Sequence, residues 1–284
     1  MRTCPLPNGA TMPALGLGTW RMGESKRSRA SEVAAVRLAL QLGYRLIDTA
    51  EMYGEGGAEE VVGEAVAQAL AAGELRRDEL FVVSKVYPHN ASHTGIPAAC
   101  QRSLQRLRLE HIDLYLLHWR GQHPLHETVA AFEALKRQGR VRHWGVSNFD
   151  VDDMEELMRV EHGARCAANQ VYYAISERGI EYDLLPWLRE HRMPCMAYCP
   201  IGQGRLGGDE VLAAIGRAHG VSATQVALAW LLGQPGVVGI PKAVRPEHLR
   251  ENLAAAQLVL SAEDRAELDR HFPPPRHKQS LAMT

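Results

Sequence analysis

Short apolar, β-prone runs alternate along the chain with longer stretches whose apolar residues recur three and four apart. Seven of the runs end in a polar residue: YRLID at Asp48, FVVSK at Lys85, IDLYLLH at His118, VRHWGVSN at Asn148, CAANQ at Gln170, PCMAY at Tyr198 and VVGIPK at Lys242. An eighth run, ALGLG, leads to Thr19 and Trp20. The intervening stretches read as helices: SEVAAVRLALQLG (closed by Gly43), GAEEVVGEAVAQAL, IPAACQRSLQRLRL, HETVAAFEALKRQG, DVDDMEELMRV and EYDLLPWLREH, with a further helix starting near His248. Strands and helices in strict alternation predict an α/β fold, a (β/α)8 TIM barrel. In such a barrel the residue at the carboxyl end of each strand faces a shared pocket.

The Asn8-Gly9 turn between short extended pieces predicts a β-hairpin over residues 1–14 that plugs one end of the barrel. The tail from 271 to 284 is Pro-rich and polar, which predicts an extended and partly mobile segment. No Ser/Gly linker divides the 284 residues, so a single domain over 1–284 is expected.

Composition narrows the partners. A net charge of −1 gives no reason to expect nucleic acid or an anionic membrane. No apolar run approaches the roughly 18–20 residues that span a bilayer. The first residues lack the apolar core of a signal peptide, and the five cysteines show neither C-x-x-C nor zinc spacing. A reduced, cytoplasmic protein is expected. No bound metal is expected: none of the 13 histidines forms the H-x-H of a metal-dependent barrel hydrolase. The glycines of GLGTWRMG lack Rossmann spacing and do not open onto a helix.

Asp48, Tyr53, Lys85 and His118 together form a candidate proton-transfer set. A free tyrosine has a pKa of about 10, and lowering it by about three units takes roughly 4 kcal/mol of preference for the phenolate. A close Lys85 ammonium could supply that, with Asp48 holding the lysine charged and His118 donating to a carbonyl oxygen. Singly, each residue has a plainer reading: a helix cap, a surface lysine, a lid tyrosine, a core histidine. Those plainer readings would have to coincide on successive units of one barrel face.

The D-x-x-x-x-Y spacing, the Lys of FVVSKVY, LYLLHW and GVSNF together resemble the aldo-keto reductase superfamily, over nearly the whole chain. The segments LIDTAEMYGEGGAEEVVGEA, VSKVYPHN and RGIEYDLLPW are most similar to its bacterial methylglyoxal reductase and 2,5-diketogluconate reductase branch. The resemblance implies NADPH-dependent reduction of small carbonyl compounds by a monomer, with Tyr53 as general acid, Lys85 and Asp48 tuning it, and His118 orienting the carbonyl. It places the nicotinamide on Ser147, Asn148 and Gln170 with Tyr198 stacked beneath, near Gly18, Thr19, Trp20 and Asp48. The pyrophosphate would run by Pro200, Gly202, Gln203 and Arg205. Ile240, Lys242, Arg245, His248, Glu251 and Asn252 would hold the adenosine end. Ala243 stands where the family pattern has a hydroxyl, and His248 where it has an Arg, so NADH is expected to bind as well, but more weakly. Trp20, Tyr87 and Trp119, with Tyr53 and His118, would form the substrate slot. A nicotinamide-binding regulatory subunit is the alternative, and turnover of a simple aldehyde discriminates between the two.

Overall fold

The computed structural model describes residues 2–283. A hairpin of β1 (Thr3–Pro5) and β2 (Thr11–Pro13) comes first. The barrel strands follow: β3 (Leu17–Gly18), β4 (Leu46–Asp48), β5 (Phe81–Val86), β6 (Ile112–Leu117), β7 (Val141–Ser147), β8 (Asn169–Tyr172), β9 (Cys195–Tyr198) and β10 (Val237–Gly239). Each pairs in parallel with its neighbour in chain order. The ring closes where Leu15 bridges Gly239 and Gly18 bridges Lys242, with Gly16 N–H donating to Gly239 O at 2.9 Å.

The alternation along each strand sorts side chains into two cores. On β5 and β6, Val83, Leu114 and Leu116 point into the barrel beside Met196 and Val238. Val82, Val86, Tyr115 and Leu117 point out against the helices. Cys4, Leu6, Met12 and Ala14 join the interior core, so the hairpin plugs the barrel as its Asn-Gly turn predicts.

The helices are α1 (Arg29–Leu42), α2 (Gly57–Ala71), α3 (Gly95–Leu107), α4 (Leu125–Arg137), α5 (Val151–Arg159), α6 (Leu184–Glu190), α7 (Glu210–His219), α8 (Ala223–Leu232), α9 (Pro246–Ala255) and α10 (Ala262–His271). Gly43 ends α1 in the left-handed conformation that lets its N–H reach back to Ala39 and Leu40. Asp150 caps α5 and Asp183 caps α6, which starts at Leu184 and keeps Pro186 in its first turn. Among the described residues no helix is long and apolar enough to cross a membrane.

Among the described residues, the tail after Phe272 has neither helix nor strand. It is fastened to the barrel: Lys278 Nζ bonds the carboxylates of both cap residues, Asp150 at 2.6 Å and Asp183 at 2.7 Å.

Candidate active site

The carboxyl ends of the strands open into a cavity of about 820 Å³. Asp48 closes β4, and Lys85 lies on β5 in phase with the inward-facing Val83, so both point into the barrel. Tyr53 sits on the turn between β4 and α2, a turn made by three successive left-handed residues, Gly54, Glu55 and Gly56. His118 follows β6, its N–H donating to Val86 O at 3.0 Å.

Lys85 is fully buried and its three N–H donors all have acceptors: Asp48 Oδ2 at 2.7 Å, Thr49 O at 2.9 Å and Tyr53 Oη at 3.1 Å. Because the Tyr53 oxygen accepts from Lys85, its own O–H is left to point elsewhere. Burial, and then the Asp48 charge, hold the Tyr53 phenol well above its ordinary pKa. This corrects the expectation of a phenol lowered by Lys85: the ammonium is already matched by Asp48, and a phenolate would add a second buried anion. Burial also pulls the Lys85 ammonium down, opposed by Asp48 and by Glu59. The His118 imidazole is pushed well below its usual value by burial and by Lys85, so it is neutral. It meets the Tyr53 ring edge-on at 5.7 Å.

Across the cavity, Ser147, Asn148, Gln170 and Tyr198 form one hydrogen-bonded group. Asn148 gives its amide N–H bonds to His118 O (3.1 Å) and Ser147 Oγ (3.2 Å), and its Oδ1 accepts from Tyr198 Oη at 2.9 Å. Gln170 Nε2 donates to Asp48 Oδ1 at 2.8 Å, tying this group to the Asp48–Lys85–Tyr53 cluster. Lys242, Arg245, His248, Glu251 and Asn252 line the far end, and Gly18, Trp20 and Ile240 lie between. Arg245 Nη2 lies 2.5 Å from His248 Nε2, a hydrogen bond in which the imidazole nitrogen accepts.

Five candidates from the sequence do not line the cavity, and Lys85, buried behind Asp48 and Tyr53, is the first of them. Thr19 is fully buried beneath it, its hydroxyl donating to Asp48 O at 2.9 Å. Gly202 is buried within its loop, and the exposed Arg205 turns aside, its Nη2 lying 3.5 Å from Tyr172 Oη. Tyr87 stands behind Trp119, edge-on at 6.0 Å, because its ring stacks on His89 instead. Pro200 and Gln203 do line it, as do Trp20, Tyr53, His118 and Trp119. Arg21, Met52, Cys199, Thr224 and Met283 also line it and were not foreseen. Met52 adjoins Tyr53 in sequence, which was a usable signal. Met283 arrives from the tail and carries none.

Residues 14–272 match the aldo/keto reductase family. The chain is 49% identical over 278 residues to the methylglyoxal reductase YeaE of Escherichia coli (strain K12), covering 96% of this chain and 95% of that protein. It is 36% identical over 267 residues to the glyoxal reductase of Bacillus subtilis (strain 168), covering 94% and 91%. Its fold superposes on the crystal structure of an aldo-keto reductase from Klebsiella pneumoniae in complex with NADPH, with a TM-score of 0.94, 48% identity, and coverage of 100% of this chain and 99% of that one. The match takes in all eight barrel strands and nearly the whole rim of the cavity, and on that ground the chain belongs to the aldo/keto reductase family.

Proposed function

We propose that the protein reduces aldehydes and ketones to alcohols with NADPH, and that its substrates are small reactive carbonyls such as methylglyoxal. One observation carries the reading: a tyrosine hydroxyl bonded at 3.1 Å to a fully buried lysine, at the wall of a cavity of about 820 Å³. The donor set fits that cofactor. Hydroxyl and amide groups (Ser147, Asn148, Gln170) with the Tyr198 ring suit a carboxamide-bearing ring at one end. The exposed cations Lys242 and Arg245 suit a phosphate at the other. The Klebsiella neighbour, crystallised with NADPH, supports the same choice.

A bound nicotinamide supplies hydride to the carbonyl carbon. Tyr53 then gives its proton to the carbonyl oxygen. Lys85 is already donating to the phenol oxygen, so the charge that forms there meets a fixed partner. Asp48 holds Lys85 in place, and neutral His118 donates an N–H to the same carbonyl oxygen. Both Asn148 amide hydrogens are used within the site, while its Oδ1, which accepts from Tyr198, has a second lone pair for a carboxamide N–H.

Trp20, Trp119 and Met52 offer apolar walls and few hydrogen-bond donors, which favours small electrophilic aldehydes over sugars. The names of the E. coli and B. subtilis relatives point the same way. Lys242 and Arg245 favour NADPH over NADH, while Ala243 offers no hydroxyl and His248 is engaged by Arg245.

The test is Tyr53→Phe. It should bind NADPH normally but lose at least about 10²-fold in turnover of methylglyoxal, the low end for loss of a general acid. Near-normal reduction by a folded Tyr53→Phe protein would end the assignment.

A further inference from the structure

The turn that carries Tyr53 does not hold itself in shape. Glu55 lies at φ +51°, a left-handed conformation that a non-glycine residue adopts at a cost, so its surroundings must impose it. Two buried carboxylates flank the turn, Glu51 before it and Glu59 after it. Each meets an arginine of α3. Arg106 Nε donates to Glu59 Oε2 at 2.6 Å, and Arg102 Nη2 to Glu51 Oε2 at 3.4 Å. Arg102 and Arg106 are four apart, so they share one face of α3.

The same carboxylates grip the strand that carries Lys85 and the loop after it. Glu59 Oε1 accepts from Ser84 Oγ at 2.5 Å, and Glu51 Oε1 accepts from Tyr87 N at 2.8 Å and Asn90 Nδ2 at 3.0 Å. The Arg106 guanidinium also lies against the end of the turn: a Cβ on Gly56 would stand 2.6 Å from Arg106 Nε. None of these four residues lines the cavity.

We propose that α3 fixes the Tyr53 hydroxyl within reach of Lys85, with Arg106 and Glu59 as the principal positioning residues and Arg102 and Glu51 as a second pair. The inference rests on the reading of Tyr53 as proton donor. The Glu59 pair is well suited to the task, since a buried carboxylate held by a guanidinium on one oxygen and a hydroxyl on the other has little freedom to shift. The Glu59 charge also opposes the burial that would strip Lys85 of its proton. Positioning has a steep effect: a shift of about 1 Å in a reacting group can cost about 10²-fold in rate.

A cycle of Arg106→Met and Tyr53→Phe tests this, with turnover of methylglyoxal, NADPH affinity and thermal melting measured for each protein. Arg106→Met should lower kcat by about 10-fold or more and leave NADPH affinity unchanged. In the Tyr53→Phe background the same substitution should leave residual turnover unchanged, because the group it positions is gone. Arg106→Lys, which keeps a charge on Glu59, should recover part of the loss. Equal fold losses in both backgrounds, or wild-type kcat in Arg106→Met, would overturn the proposal. Full activity in Tyr53→Phe alone would instead overturn the proton-donor reading. Should Arg106→Met fail to fold, Glu59→Gln enters the same cycle, with the same outcomes deciding it.

Discussion

Lys85 shows how much one buried side chain can organise. Its three hydrogen bonds join the end of β4, the backbone after it and the Tyr53 turn. Tyr53, held above the ordinary phenol range, keeps its proton as pH rises through neutrality and gives it up only beyond its raised pKa. His118, held well below its usual value, gains a charge only in acid. We therefore expect kcat/KM for a non-ionising aldehyde to be level from about pH 6.5 to about pH 9, between the ordinary imidazole and phenol values. A pH–rate profile that falls steadily across that window would contradict this account of Tyr53. That Asp48, Tyr53, Lys85 and His118 come together was legible in the sequence because each sits at or just past a strand end, where barrel geometry gathers side chains. The direction of the Tyr53 shift was not legible. Spacing tells which charges are near, but not how deeply the phenol is buried or that Asp48 has already matched Lys85.

At the scale of elements, helices with a clear apolar stripe were readable, α1 to α6 among them. Helix α8 is buried all round and has no stripe to find, while α10 has Leu268 as its one buried residue. The interlock of neighbouring turns was also hidden. Gly23, after β3, lies at φ +74°, and a Cβ there would stand 2.1 Å from Gly57 C, at the start of α2. Gly43, at φ +103°, has nothing within 4 Å of such a Cβ. Gly43→Ala should therefore cost only the left-handed penalty, about 1–2 kcal/mol. Gly23→Ala adds a backbone clash worth about 1–3 kcal/mol more. It should also slow reduction, since it pushes on the turn that carries Tyr53. Urea unfolding with parallel kinetics checks both, and equal costs at the two sites would refute the interlock.

For the molecule as a whole, the two ends of the barrel have separate duties. The hairpin end contributes packing: Met12 is fully buried against the interior core. Met12→Ala should cost about 2–5 kcal/mol, as large-to-small core changes do, and leave kcat for methylglyoxal unchanged. A matching fall in kcat, measured where the variant is fully folded, would show that the plug reaches the chemistry. The strand-by-strand alternation made the barrel legible, whereas the anchoring of the tail was not. Lys278 finds its two partners on helix caps more than 90 residues away in the chain, and local pattern carries no trace of such a pairing.

Ring closure has a consequence for synthesis. The four residues proposed to move the proton are all made once the ribosome has passed His118, yet Asp48 still lacks Gln170 and the cationic end of the cavity awaits Lys242 and Arg245. The seam between Leu15 and Gly239 then joins the first barrel strand to the last. A nascent chain thus carries its proposed acid early but has nowhere to seat a reductant until nearly the whole barrel has emerged.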